Sequence, residues 1–163
     1  MLFRSQALLA DPGVRVIYRP HPRTGTASPT HAAADRRIRA LLHEGGDRHL
    51  VDEGPYGWQW AFADACVTDV SAVAYDWLAT GKPLVVTEPA HTAYRPASPL
   101  LERLPLLAPE AAGRVLERLG EQDGRALAEL TRYYFGETLG RASTTRFHAA
   151  IEQAYAMTGS DSG

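Results

Sequence analysis

Short apolar runs along the chain alternate with longer stretches in which apolar residues recur at helical spacing. The runs at residues 14–18, 65–68 and 84–87 predict buried strands, and residues 49–51 predict a weak strand. The helical stretches cover residues 30–43, 58–62, 71–80, 110–119, 125–134 and 143–157. A short helix with Leu8 and Leu9 precedes the first strand, and the proline-rich segment 89–109 is expected to be mostly loop. This alternation predicts an α/β fold with a Rossmann-like, doubly wound parallel sheet and a helical C-terminus.

The length and composition are those of one folded domain. The 163 residues are 45% hydrophobic and 22% charged, which is typical of a globular protein. We therefore expect a single domain over residues 1–158 and a disordered tail over residues 159–163. The formal net charge of −2 argues against a nucleic-acid partner, and no apolar run is long enough to predict a membrane span. The one cysteine, Cys66, excludes a disulfide framework and is expected to be a buried, inert thiol.

The first group of candidate residues is the segment Arg19-Pro20-His21-Pro22-Arg23, directly after the first predicted strand. A residue that precedes proline is held extended, and alternate residues of an extended chain share a face. Arg19, His21 and Arg23 are therefore expected to lie together at the carboxyl end of a parallel strand, where open α/β sheets bind ligands. Two guanidinium groups and an imidazole suit a phosphate. The alternative is a surface loop with incidental basic residues.

The second group, Thr68-Asp69-Val70-Ser71, lies between a predicted strand and a predicted helix. A helix N-terminus collects unpaired N–H groups and is suited to binding an anion. Ser71 is a candidate for binding a phosphate oxygen, and Asp69 for binding backbone N–H groups or a sugar hydroxyl. The alternative is that either residue only caps the helix.

Two further candidates follow in the same helix and after it. Asp76 is flanked by aromatic residues and is a candidate acceptor for a ribose hydroxyl. Alternatively it is a solvated residue or an ion-pair partner of Lys82. Lys82 comes after Gly81, where the helix gives way to the next strand, and is a secondary candidate for phosphate binding.

Several other chemistries lack their motifs. The six histidines and Cys66 show no metal-ligand spacing, so no metal is expected. No Gly-x-Gly-x-x-Gly, Walker or Gly-x-Ser-x-Gly sequence is present, which argues against dinucleotide, P-loop and serine-hydrolase chemistry. The aromatic residues Trp58, Trp60 and Phe62 are expected to belong to the core and to the edge of a lid rather than to a base-stacking platform.

In their order and spacing these motifs resemble the CDP-glycerol glycerophosphotransferase family, whose members make or extend teichoic-acid-type polymers. Residues 19–22 are similar to the family's Lys/Arg-Pro-His-Pro motif. Residues 63–83, which read ADACVTDVSAVAYDWLATGKP, are similar to its "aDvlITDySSvxxDfLaxgKP" segment. Residues 134–147 resemble its closing Gly-Asp/Glu segment and last helix, and the whole resemblance covers about residues 1–155.

The resemblance implies the C-terminal, donor-binding half of a GT-B-type enzyme built from two Rossmann-like domains. Residue by residue, His21 takes the place of the family's functional histidine. Ser71 takes the place of the first of two paired serines, at the helix that receives the diphosphate. Asp69 and Asp76 fall on the flanking carboxylate positions. Arg19, Arg23 and Lys82 are the additional phosphate-binding candidates.

The sequence also departs from the family pattern. Ala72 stands where the family usually has its second serine, which removes one hydroxyl donor, and Val70 replaces a frequent tyrosine. The family's acceptor-binding domain, with its second catalytic histidine, is not found in this sequence. Nor is the strand like "YAPTW" with which the donor domain usually opens. The chain is therefore expected to begin one helix into a donor domain.

The implied reaction transfers glycerol phosphate, or a related polyol phosphate, from CDP-glycerol to a hydroxyl group. The acceptor would be a lipid-linked saccharide or a growing polymer at the cytoplasmic face of the bacterial membrane, where the protein would be cytoplasmic or peripheral. No cofactor is implied. Two alternatives stay open: a nucleotide-binding module without catalysis, and a GT-B transferase or epimerase that uses another nucleotide sugar.

Overall fold

Short strands form two parallel sheets in the computed structural model, which describes residues 8–88, 98–104, 106–138 and 140–159. Strands β1 (Ile17–Tyr18) and β2 (Leu50–Val51) form one pair. Strands β3 (Cys66–Thr68), β4 (Leu84–Thr87) and β5 (Leu106–Leu107) form the other sheet, in that order. Each of these pairings is parallel, so the fold is α/β with parallel sheets, as the sequence predicts.

Helices connect the strands and continue to the end of the described chain. Helix α1 (Pro29–Glu44) follows β1, α2 (Gln59–Phe62) follows β2, and α3 (Ala72–Leu78) joins β3 to β4. Helix α4 (Pro99–Arg103) precedes β5, and the remaining helices are α5 (Val115–Gly120), α6 (Gly124–Phe135) and α7 (Ala142–Gly159). Single 3₁₀ segments, Gly46–Arg48 and Pro109–Arg114, precede β2 and α5.

The ends of these helices follow from their sequences. The Ser28 hydroxyl accepts a hydrogen bond from the His31 amide at 3.3 Å, and Pro29 takes the first helical position of α1, where no N–H is needed. Helix α3 is followed by Gly81 with a φ of 67°, a conformation that glycine adopts at little cost. Helix α6 is capped by Asp123, whose carboxylate accepts the Arg125 amide at 2.8 Å.

Helices cover both faces of the three-stranded sheet. Leu84 and Val86 of β4 point into the larger core, together with Trp77 and Leu78 of α3 and residues from α4 and α6. Val85, between them, points to the other face and packs with Leu107 and Val115. This alternation places β4 at the centre of a helix–sheet–helix arrangement, which explains why all four of its residues are buried.

The pair β1–β2 has a smaller helical cover. Ile38 and Leu42 of α1 are both buried, with exposed fractions of 1% and 2%. They lie four residues apart, so both project from the same side of the helix, as the sequence predicts.

One predicted segment is wrong, and several predicted elements are shorter in the structure. Strand β4 has the predicted bounds, whereas β1 is confined to the last two residues of the predicted run 14–18. The segment 89–109 is not mostly loop where it is described, because it contains α4 and β5. Ser98 caps α4 by accepting the Leu101 amide at 3.3 Å, and Leu100 and Leu101 are buried. Proline within a segment is a loop signal, but at the first position of a helix it favours that helix.

Parts of three predictions lie outside the described residues. They concern residues 1–7, residues 89–97 and most of the predicted tail, from residue 160 onward. The predicted tail begins one residue too early, since α7 includes Gly159. No helix of the described segments combines the length and the apolar character needed to cross a bilayer.

Candidate functional site

A cavity of about 240 Å³ opens at the carboxyl ends of β1 and β2. Arg19 and His21, which follow β1, line it beside residues that follow β2, because parallel strands end at the same edge of a sheet. Helix α1 closes another side. The charged and titratable groups of the lining are Arg19, His21, Asp35, Arg39, Asp52 and Glu53.

Asp52 is the anchor of this site. Its carboxylate is buried, with the residue 6% exposed, and accepts hydrogen bonds from Arg19 Nη1 at 2.7 Å and from the Gly54 amide at 3.0 Å. The Gln59 side-chain amide donates a third. Burial raises the pKa of the Asp52 carboxyl, but the hydrogen bonds outweigh it and hold that pKa below its ordinary value. Asp52 is therefore an ionised, fixed partner that orients Arg19.

A second ion-pair network lies across the cavity. Arg39 donates from Nε to Asp35 and from Nη2 to Glu53, each at 2.8 Å. The Tyr18 hydroxyl donates to the other oxygen of Asp35 at 2.8 Å. Burial and the Asp35 carboxylate raise the pKa of Tyr18 above its ordinary value, so the phenol stays a hydrogen-bond donor. With three carboxylates beside two guanidinium groups, the lining is more acidic than the Arg-Pro-His-Pro-Arg motif alone indicates.

The imidazole of His21 is held in one tautomer. Its Nδ1 accepts a hydrogen bond from the Arg23 backbone N–H at 3.0 Å. In a neutral imidazole one nitrogen accepts and the other donates, so this bond assigns the proton to Nε2. The His21 side chain is exposed, and the Nε2–H group is the donor that a ligand in the cavity would meet.

Arg23 does not share the face of Arg19 and His21, which corrects that part of the prediction. The chain turns after His21, where the Thr24 amide donates to the His21 carbonyl at 2.8 Å. The extended conformation expected before each proline therefore ends at His21. The residues that line the cavity continue with Thr24 and leave Arg23 out.

The second predicted group lies at the end of β3. Ser71 takes the N-cap position of α3, but its side chain makes no cap hydrogen bond, so it is not simply a helix cap. Its hydroxyl pairs instead with the Thr68 hydroxyl at 3.3 Å. Asp69 is exposed and accepts a hydrogen bond from Thr68 at 3.4 Å. Neither Ser71 nor Asp69 lines the cavity beside His21.

The Tyr56 ring lies against Arg19. The guanidinium carbon of Arg19 lies 5.3 Å from the centre of the Tyr56 ring, which contacts the Trp60 ring edge-on at the same distance. Burial raises the pKa of the Tyr56 hydroxyl, and the charges of Asp76 and Cys66 add to that increase. Arg19 is thus a neighbour of one exposed tyrosine.

Lys82 contacts the backbone in this structure, and its predicted phosphate contact stays a prediction. Its ammonium group donates to the carbonyls of Trp60 at 2.8 Å and Ala63 at 2.7 Å, and more distantly to that of Ala61 at 3.4 Å. These carbonyls end α2, where a cation is favoured. All three donors of the ammonium group are therefore engaged by the backbone.

Sequence reasoning missed four of the residues that surround His21. Asp35, Arg39, Asp52 and Glu53 belong to no motif, and the first two lie on helix α1. A signal for Asp52 and Glu53 was present: they follow β2 as Arg19 follows β1, and parallel neighbours end at one edge. The aromatic prediction holds for Trp60, which packs on the core, whereas Trp58 and Phe62 are exposed.

The described residues hold no group of three or more His, Cys, Asp or Glu side chains placed to bind a metal. Comparisons with models of protein families, with curated proteins and with solved structures found no match.

Proposed function

We propose that this chain is the donor-binding half of a polyol-phosphate transferase that takes glycerol phosphate, or a related polyol phosphate, from CDP-glycerol. The observation that carries the proposal is the pairing of Arg19 and His21 on one cavity at the carboxyl end of a parallel strand. A GT-B-type, doubly wound arrangement of the two sheets is part of the same proposal.

The site offers the donors that such a ligand requires. His21 presents Nε2–H, and Arg19 uses one terminal nitrogen for Asp52 while a guanidinium group carries five N–H donors. Ser71, whose side chain makes no cap hydrogen bond, is proposed as a further donor and Asp76 as an acceptor for a ribose hydroxyl; neither residue lines the cavity beside His21. The carboxylates of the cavity would repel a phosphate but would accept hydrogen bonds from ribose or polyol hydroxyls. We therefore assign the diphosphate to Arg19 and His21 and the hydroxyl groups to the acidic side.

In the proposed reaction an acceptor hydroxyl oxygen attacks the β-phosphorus of CDP-glycerol. The new oxygen–phosphorus bond forms as the bond to the bridging oxygen breaks, and CMP leaves. Such a transfer depends on positioning and charge neutralisation more than on covalent chemistry. His21 Nε2–H would donate to the transferring phosphate or to the leaving CMP. The base that accepts the proton of the attacking hydroxyl would lie in the acceptor-binding half.

The test is calorimetric titration of the chain with CDP-glycerol, compared with UDP-glucose and CDP. We expect CDP-glycerol to bind and His21→Ala to weaken it at least tenfold, because a hydrogen bond to a charged group contributes roughly 1.5–3 kcal/mol. His43→Ala is the matched control, since His43 is exposed on α1 and does not line the cavity.

The outcomes separate the competing functions. Preference for UDP-glucose would indicate a nucleotide-sugar enzyme. Binding of CDP-glycerol without turnover, in an assay with a polymer acceptor and an acceptor-binding half supplied, would indicate a binding module. Equal binding by the chain and by His21→Ala would remove His21 from the site.

A further inference from the structure

Tyr56 is an exposed aromatic residue beside the cavity of the candidate site. It lies in the segment that follows β2, and 46% of its surface is exposed. Tyr56 does not line the cavity, but Arg19 does, and the guanidinium carbon of Arg19 lies over the Tyr56 ring, 5.3 Å from its centre. One guanidinium group is therefore shared between the cavity and the aromatic ring.

The Tyr56 ring is held in place from several sides. Trp60, which packs on the larger core, contacts it edge-on, with the ring centres 5.3 Å apart and the planes at 89°. Arg19 is itself fixed by its ion pair with Asp52 at 2.7 Å. The Gln59 side chain also donates to Asp52, so the loop between them, which carries Tyr56, is closed by a hydrogen bond. Tyr56 is thus a positioned ring on the surface.

These contacts leave part of the ring available to a ligand. Arg19 lies over one face, Trp60 contacts the ring edge-on, and nearly half of Tyr56 stays exposed. An aromatic side chain next to a cation is the kind of surface on which proteins stack the bases of nucleic acids. Such stacking needs only the π-face of a base, so it adds affinity without selecting one base over another.

The position of the ring relative to Arg19 indicates which kind of molecule contacts both. In a nucleotide, a single sugar separates the base from the first phosphate. A phosphate that binds Arg19 therefore brings its base to within one sugar of that guanidinium group, and the Tyr56 ring lies at such a place. We infer that Tyr56 stacks the base of a nucleoside diphosphate whose phosphates bind Arg19 and His21. This role of Tyr56 rests on the phosphate contacts of the proposed function but not on the polyol, because a nucleotide sugar carries the same base and phosphates.

The alternative role of Tyr56 is to support Arg19 and to touch no ligand. The two roles differ in the ligands that they affect. A ring that only supports Arg19 changes the affinity for every ligand of that guanidinium group, with or without a base. A ring that stacks changes the affinity only for ligands that carry a base.

Calorimetric titration of the full chain with CDP, UDP and inorganic pyrophosphate separates the two roles. Tyr56→Leu removes the aromatic face and keeps an apolar side chain. We expect it to weaken the binding of CDP and of UDP by about fivefold or more, the loss typical of one unstacked base. The affinity for pyrophosphate, which has no base, should not change. Tyr56→Phe keeps the ring and should keep the affinity for CDP.

Phe62→Leu is the matched control. Phe62 is another exposed aromatic residue, which contacts Trp58 and does not line the cavity. The same substitution there should leave all three affinities unchanged. NMR of the parent chain gives a second readout, since stacking predicts a nuclear Overhauser effect between the ring protons of bound CDP and those of Tyr56. This measurement needs no substitution, so it decides the question even if Tyr56→Leu fails to fold.

Several results would overturn the stacking role. Equal weakening of CDP and pyrophosphate by Tyr56→Leu would show that the ring acts through Arg19. Unchanged binding of CDP by that variant, or bound CDP without the Overhauser effect, would place the base elsewhere and leave the proposed function standing.

The remaining outcomes separate this role from the proposed function. If the parent chain binds none of the three ligands, the phosphate site is absent and both fail. If the parent chain prefers UDP-glucose to CDP-glycerol and Tyr56→Leu weakens UDP but not pyrophosphate, the polyol-phosphate function is contradicted and the stacking role is supported.

Discussion

At the scale of single residues, the candidate site depends on Asp52 as much as on the motif that drew attention to it. Arg19 on its own would be a mobile surface cation. The buried carboxylate of Asp52 holds it at 2.7 Å, and Gln59 and Gly54 hold Asp52 in turn. A charged group that neighbouring side chains already hold in place loses less conformational entropy when a ligand binds to it.

The first prediction concerns the pH dependence of this carboxylate. The pKa of Asp52 is lower in the folded chain than in the unfolded one, so the unfolded chain binds more protons in acid. The stabilisation by Asp52 is therefore present above the ordinary aspartate pKa of about 3.9 and is lost as the pH falls through the lower, folded value. We expect Asp52→Asn to lower the Tm at pH 7, and the difference from the parent to shrink below about pH 4.

The measurement is thermal unfolding followed by circular dichroism between pH 3 and pH 7. Asp47→Asn is the control, since Asp47 is exposed in the 3₁₀ segment before β2. A Tm difference that is constant over the whole pH range would contradict the ionised, fixed state of Asp52.

At the scale of elements, two long side chains complete hydrogen bonding that the short strands and helices leave open. Lys82 binds the carbonyls that end α2. Gln122, which follows α5, accepts from the Leu84 amide at 2.6 Å and donates to the Leu84 carbonyl. It acts in place of a neighbouring strand, because the ladder between β4 and β5 begins only at Val86.

The second prediction follows from this contact. Gln122→Met keeps the length of the side chain but leaves the amide and carbonyl of Leu84 without this partner in a buried position. We expect the free energy of unfolding to fall by about 1–3 kcal/mol, the cost of leaving a buried polar group unsatisfied. Chemical denaturation measures the change.

Gln153→Met is the matched control, because Gln153 is exposed on α7 and the same substitution there should change stability by less than about 0.5 kcal/mol. Equal effects of the two substitutions would show that Gln122 does not support β4.

At the scale of the whole molecule, burial is concentrated around the three-stranded sheet and declines toward α7. From Thr144 to Met157 the residues of this helix are exposed, including the large apolar side chains of Phe147 and Met157. Its connection to the rest is polar: Arg146 donates to the carbonyls of Phe135 and Glu137 at 2.6 and 2.8 Å.

The third prediction is an uneven distribution of stability. The amides of a helix without buried side chains exchange through local opening. The amides of a central strand exchange only when the whole protein unfolds. We expect the amides of α7 to be protected at least tenfold less than those of Val85 and Val86 in β4, as measured by hydrogen exchange. Equal protection would mean that α7 opens only when the core does.

Some elements were predicted from the sequence more accurately than others, and the difference has physical causes. The strand Leu84–Thr87 and the helix over residues 30–43 were predicted well because each has a strong local pattern and clear end signals. The helix Pro99–Arg103 was missed because the prolines of the segment 89–109 indicate a loop, while burial of Leu100 and Leu101 decides its structure.

The sequence by itself determined most of the elements, the parallel α/β class and the adjacency of Arg19 and His21, since periodicity and proline geometry act over a few residues. Only the tertiary structure decided which groups meet those two. Asp52 and Asp35 come from other elements, and Arg23 is removed by a turn that the next residues form. The reason is that electrostatic partners are chosen by distance in space. Distance in space depends on how the strands are ordered, and no local pattern in the chain records that order.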